Sequence, residues 1–146
     1  MAFLLDVNAL IALIDSGHVQ HEAMHRWFAA NGKKGWATCP ITENGFIRVL
    51  SQAAYPSGQR RPSDLIRILG RLKAANSKTH EFWADEVSLT DESRFQIRYV
   101  VGSRQVTDVY LLGLAAQRGG KLLSFDQSLP WQAIRNGTAA LIEAPD

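Results

Sequence analysis

Four carboxylates stand at positions where their surroundings are apolar: Asp6, Glu43, Asp108 and Asp126. Asp6 follows the run Phe3-Leu4-Leu5 and precedes Ala9-Leu10-Ile11-Ala12-Leu13-Ile14, so a charge lies at the entry to an apolar helix. On a wheel of about 100° per residue, Glu43 falls inside the arc of Phe46, Ile47, Val49, Leu50, Ala53 and Ala54, with Asn44, Arg48, Ser51 and Gln52 opposite. Asp108 falls among Leu111, Leu112, Ala115 and Ala116, with Tyr110 and Gln117 across from it. Asp126 follows Leu122-Leu123-Ser124-Phe125. Inward carboxylates brought together repel one another and rise in pKa. A hard divalent cation such as Mg²⁺ or Mn²⁺ removes that conflict, because both prefer oxygen ligands. Each acid also has a plain structural role open to it: Asp6, Asp108 and Asp126 as helix caps, and Glu43 as a first-turn acid favoured by the helix dipole. Asn8 is a candidate supporting group or a local turn former.

A second constellation competes for a metal. His21-Glu22-Ala23-Met24-His25 matches the H-E-x-x-H pattern of zinc peptidases, with Glu43 as a conceivable third ligand. The plainer reading places both histidines at the border of a packing stripe of Met24, Trp27 and Phe28. The zinc reading would also remove Glu43 from the other acids and leave three inward carboxylates without a purpose.

The elements needed to position these groups alternate between strand and helix. Residues 3–5 predict a strand and 7–14 a helix; 19–30 predict a second helix, closed by the turn Asn31-Gly32-Lys33-Lys34-Gly35. Trp36 to Cys39 reads as a strand, and a helix from Pro40 runs to about Ala53. Residues 63–75 are amphipathic through Leu65, Ile68, Leu69 and Leu72. A strand is expected within 80–89, a helix from about Asp91 to Val101, and a strongly apolar helix over 107–118 ending at Gly119-Gly120. Lys121 to Phe125 and Ala139 to Ile142 read as strands. This alternation predicts an α/β fold with a mainly parallel sheet of about five strands flanked by helices. In such sheets ligands lie beyond the carboxyl ends of the strands, which is where Asp6 and Asp126 belong if each directly follows a strand.

With 146 residues and no linker or repeat, residues 1–146 are expected to form one domain. A hydrophobic content of 46% argues against wholesale disorder, and a net charge of +2 permits a nucleic-acid partner without demanding one. Cys39 is the only cysteine, which excludes a disulfide framework and fits a reducing compartment. No basic residue precedes the N-terminal apolar run, and no stretch reaches the roughly 18 apolar residues of a membrane span. A cytoplasmic protein without membrane attachment is the expectation.

The order of these segments resembles the PIN-domain nucleases, and among them the VapC-type toxins of toxin–antitoxin pairs, over essentially the whole chain. Leu4-Leu5-Asp6-Val7-Asn8 is similar to the family's opening strand and first acid. Ile41-Thr42-Glu43-Asn44-Gly45-Phe46-Ile47-Arg48-Val49 is similar to its second-acid helix. Thr107-Asp108-Val109-Tyr110-Leu111 and Ser124-Phe125-Asp126 are similar to the third- and fourth-acid segments, and His80-Glu81-Phe82-Trp83 with Asp85 resembles one large VapC subgroup. The resemblance implies a PIN-like three-layer fold and a Mg²⁺-dependent endoribonuclease, with Mn²⁺ substituting. It implies Asp6, Glu43, Asp108 and Asp126 as metal-binding catalytic acids, with Asn8 and Ser124 supporting them. It also implies a neutralising antitoxin protein and a homodimer. An acidic groove repels RNA, so basic residues must hold the strand. Arg48, Arg98 and Arg104 are the leading candidates, with Arg60, Arg61, Arg67 and Arg71 behind them. A PIN-like module that binds without cleaving is the non-enzymatic alternative.

Overall fold

A computed structural model describes residues 2–146; Met1 lies outside the described residues. Its centre is β1 (Phe3–Leu5), which pairs in parallel with β2 (Trp36–Thr38) on one side and β4 (Lys121–Leu123) on the other. Beyond them lie β3 (His80–Phe82) and β5 (Ile142–Glu143), giving the order β3-β2-β1-β4-β5 with every pair parallel. Chain direction across the sheet therefore reverses between β1 and β4. This is the topological switch point, and in such sheets ligands sit beyond the carboxyl ends of the strands at that place.

Alternation along the strands builds three layers. Phe3 and Leu5 join a cluster with Leu10, Trp36, Phe46, Leu50 and Leu65, formed by α1 (Val7–Ile14), α2 (His21–Asn31), α3 (Pro40–Leu50) and α4 (Pro62–Ala75). Leu4 points to the other face and meets Trp83, Phe95 and Leu122 with α5 (Val106–Gln117). Each cluster is continuous, so the sheet is covered on both faces, as short all-parallel strands require.

Local chemistry sets the helix limits. Pro40 occupies the first turn of α3, and Thr42 Oγ1 accepts from the Cys39 N–H at 3.0 Å. α3 ends at Leu50, earlier than the expected Ala53. Gly119, at φ 66°, closes α5 in the left-handed conformation that glycine adopts without strain. Gly45 permits the approach of α3 to α1, since a Cβ there would lie 2.7 Å from Val7 Cγ2.

Three expectations are corrected. The segment Asp91–Val101 forms no α-helix; it carries turns and a single 3₁₀ turn at Ile97–Tyr99. Its backbone is engaged elsewhere: Gln96 N donates to Ala133 O at 2.7 Å, Arg135 N donates to Arg94 O at 2.8 Å, and Phe95 bridges Ile134. The last strand is Ile142–Glu143, preceded by a 3₁₀ turn at Ala139–Leu141. The wheel for α5 misplaces Tyr110, which is buried and donates its hydroxyl to Asp85 Oδ1 at 2.8 Å. α5 is buried from Val109 through Ala115, so a wheel has no polar face from which to orient it.

Candidate active site

Asp6 leaves the end of β1 and caps α1. Its Oδ1 accepts from Val7 N at 2.8 Å and its Oδ2 from Ser124 Oγ at 2.9 Å. The residue is buried, and burial pushes its carboxyl above the ordinary range. Ser124 and Val7 work against that rise, and the charge of Asp126 adds to it. Backbone bonds tie the strand ends together here: Asp6 N donates to Leu123 O and Ser124 N to Glu143 O, each at 3.0 Å.

Asp108 lies in the first turn of α5 and is half-buried. Its carboxyl is pushed up to about 6, first by burial, then by the charges of Asp6 and Asp126. Among the described residues no hydrogen bond or cation acts against this rise. Asp126 is exposed rather than inward-facing, and it stands beyond Ser124 and Phe125 instead of directly after β4. Its Oδ1 accepts from Ser128 N at 2.9 Å and Ser128 Oγ at 2.6 Å, and its own N–H donates to Ser124 Oγ at 3.1 Å. Ser124 thus touches two of the acids, just beyond the end of β4.

Glu43 sits apart in charge. It lies in the first turn of α3, beyond the end of β2. Its Oε2 accepts from Thr38 Oγ1 at 2.6 Å and pairs with Lys73 Nζ at 2.8 Å. Thr38 spends its proton on Glu43, so it accepts from His80 Nε2 at 2.8 Å, which fixes that nitrogen as the protonated one. Asp6, Asp108 and Asp126 therefore form one mutually repelling set, while Glu43 has a cation of its own. Among the described residues no three His, Cys, Asp or Glu side chains close into a ready metal cage. The donor set still fits a hard divalent cation: its acids are oxygen donors, and the uncompensated repulsion on Asp108 is what such a cation relieves.

Asn8 is exposed and has no hydrogen bond to any of the four acids among the described residues. Arg48, Arg98 and Arg104 are exposed; Arg98 lies 5.0 Å from the Tyr99 ring centre, and Arg104 falls in the turn just before α5. Arg60 is spent elsewhere, on the buried Asp15 at 3.1 Å, while Arg61 and Arg67 both pair with Asp64.

The histidines of the H-E-x-x-H segment have another task. His21 Nδ1 lies 2.7 Å from Ala12 O, and His25 Nε2 lies 2.8 Å from Leu13 O. A carbonyl only accepts, so both ring nitrogens donate to the end of α1. Glu43, which the competing zinc reading would need as a third ligand, is engaged by Thr38 and Lys73.

Sequence reasoning missed the roles of Thr38, Lys73 and His80, the last of which it named only within the segment His80-Glu81-Phe82-Trp83. Two of them left signals. Thr38 is a hydroxyl at the end of an apolar strand, as Ser124 is. Lys73 continues the stripe of Leu65 and Leu69 at four-residue spacing, where a charge needs a partner.

The fold and its carboxylate-bearing edge define a class, and the comparisons agree with it. The family model of the PIN domain matches residues 3–133. Ribonuclease VapC44 of Mycobacterium tuberculosis is 41% identical over 139 residues, covering 94% of this chain and 95% of that protein. Ribonuclease VapC38 of the same organism is 46% identical over 123 residues, covering 84% of each. The chain belongs to the VapC ribonucleases of the PIN-domain family. Two solved structures share the fold. VapBC2 from Rickettsia felis, bound to a DNA fragment from its promoter, superposes with a TM-score of 0.66 at 12% identity over 100% of both chains. VapC20 of Mycobacterium tuberculosis, described as a sarcin-ricin loop cleaving toxin, superposes at 0.60 with 10% identity, covering 90% of this chain and 95% of that one.

Proposed function

We propose that this chain is a divalent-metal-dependent endoribonuclease toxin, held in check by an antitoxin protein. The observation that carries the reading is the uncompensated set of Asp6, Asp108 and Asp126 at the switch point of the sheet, with Asp108 raised to about 6. Membership of the VapC ribonucleases supports RNA as the substrate.

Asp6, Glu43 and Asp108 would hold Mg²⁺ or Mn²⁺, and Asp126 would complete the site or hold a second ion. When bound, the ion would supply Lewis-acid charge to the scissile phosphate and favour ionisation of a water. The chain's own contribution is orientation. Ser124 and Val7 N–H each fix one oxygen of Asp6, and Thr38 fixes one oxygen of Glu43. The ligand carboxylates must be ionised, and Asp108 reaches that state only above about pH 6 in the metal-free chain. Attack of water on phosphorus with loss of the 3′ oxygen leaves a 5′-phosphate and a 3′-hydroxyl. Arg48, Arg98 and Arg104, exposed and free of ion pairs among the described residues, are available to phosphates.

The partner reading draws support from exposed apolar side chains near the start of α5: Ile97, Val101 and Val106. They are apolar surface open to an antitoxin segment, and Val106 lies in the same first turn of α5 as Asp108. Homodimerisation and a cytoplasmic site of action, with residues 1–146 acting as one domain, complete the reading. No helix among the described residues is long and apolar enough to cross a membrane.

The test is cleavage of a mixed RNA pool by the purified chain with Mg²⁺, with Mn²⁺ and with chelator. Cleavage that needs the metal, and that is lost in Asp6→Asn, Glu43→Gln and Asp108→Asn variants of unchanged fold, is expected. RNA binding without cleavage under either metal would favour the non-enzymatic module.

A further inference from the structure

The four acids are not equivalent in their charge environment. Asp6, Asp108 and Asp126 have no Lys or Arg ion-pair partner among the described residues, whereas Glu43 has Lys73 at 2.8 Å. The pair is partly sheltered, with side-chain exposures of 28% and 18%. Thr38 donates to the same carboxylate oxygen, so Oε2 carries two short hydrogen bonds, and His80 holds Thr38 in turn. Lys73 is also anchored independently of Glu43, because its Nζ lies 5.1 Å from the ring centre of the exposed Phe82. The ammonium thus has a second resting place if the carboxylate leaves it.

We propose that Lys73 is a resident counter-cation of Glu43 that an incoming divalent ion must displace, so that Lys73 sets the affinity of the site for metal. The proposal rests on the reading of this edge as a metal-dependent ribonuclease site. It makes Lys73 a positioning residue that acts through Glu43. With no metal, the lysine neutralises Glu43, with which it pairs at 2.8 Å. When metal binds, Glu43 exchanges an ammonium for the ion, and Lys73 stays over Phe82. Competition of this kind weakens metal binding, so removing the ammonium strengthens it. A lysine that merely aimed Glu43 at the metal would have the opposite effect.

Calorimetric titration of Mn²⁺ into the full chain at low salt separates these cases. Lys73→Met keeps the apolar stem over Phe82 and is expected to bind Mn²⁺ about fivefold more tightly than wild type, the scale of one partly exposed ion pair. Lys73→Gln should show the same direction. Glu43→Gln should bind more weakly, and adding Lys73→Met to it should change nothing further. Equal or weaker binding by Lys73→Met would overturn the proposal while leaving the metal site standing. So would a tightening that persists in the Glu43→Gln background, because it would reveal a through-space field and not competition for this carboxylate. Failure of wild type and Lys73→Met alike to take up Mn²⁺ would overturn the ribonuclease reading itself, and this proposal with it.

Discussion

Replacing Asp108 with asparagine should stabilise the metal-free protein while abolishing cleavage. Burial and the charges of Asp6 and Asp126 raise this carboxyl from its ordinary 3.8 to about 6. Below about pH 4 it is protonated whether the chain is folded or unfolded, and the full stability is present. Between about pH 4 and 6 the unfolded chain releases a proton that the folded chain keeps, so stability falls as pH rises. Above about pH 6 the loss is complete. A rise of this size corresponds to about 3 kcal/mol at full weight, and the partial exposure of Asp108 reduces it to about 1–2 kcal/mol. Asparagine keeps the shape and removes the charge. Urea unfolding in chelator at about pH 7.5 should therefore show the variant about 1–2 kcal/mol more stable, with a melting point higher by several degrees. At pH 4 the advantage should vanish, and the slope between pH 4 and 6 should be shallower than in wild type. A variant no more stable at neutral pH, or one with the wild-type slope, would refute the claim that burial and the neighbouring aspartates together make the Asp108 charge costly in the absence of metal.

Three further substitutions probe separate parts of the account. Asp15 is buried at the end of α1 and accepts from Tyr55, Ser57, Gly17 N–H and Arg60. Asp15→Ala leaves Arg60 without its partner and should cost about 3–5 kcal/mol in urea unfolding, with Mn²⁺ affinity in the folded protein unchanged. Ser124→Ala removes the bond that fixes Asp6 Oδ2 and should weaken Mn²⁺ binding about tenfold by calorimetry, as loss of a ligand's hydrogen-bond partner does at metal sites. Gly113→Ala would drive a Cβ into the Phe95 ring and should cost about 1–3 kcal/mol in thermal melts, partly recovered by adding Phe95→Leu.

The sheet was legible because its strands are short apolar runs, and both faces are covered, so Phe3-Leu4-Leu5 and Leu122-Leu123 need no alternation to be recognised. Asp6 stood out for the same reason, as a charge directly after such a run. The segment at 91–101 was not legible. The helix expected there is overridden by pairing with residues 133–135, which are distant in sequence. Wheels served α3 better than α5: Glu43 is indeed partly sheltered, but a helix buried on nearly every side gives Asp108 no polar face for contrast. The exposure of Asp126 was hidden because its orientation comes from a local turn through Ser128. Lys73 was hidden because its partner lies 30 residues away.

The most direct test is the chemistry of the ends produced when the purified chain cuts a defined RNA. Water attack at a metal held by Asp6, Glu43 and Asp108 predicts 5′-phosphate and 3′-hydroxyl products that form with Mg²⁺ or Mn²⁺ and disappear with chelator. Cleavage that survives chelation, or that leaves a 2′,3′-cyclic phosphate, would contradict the account.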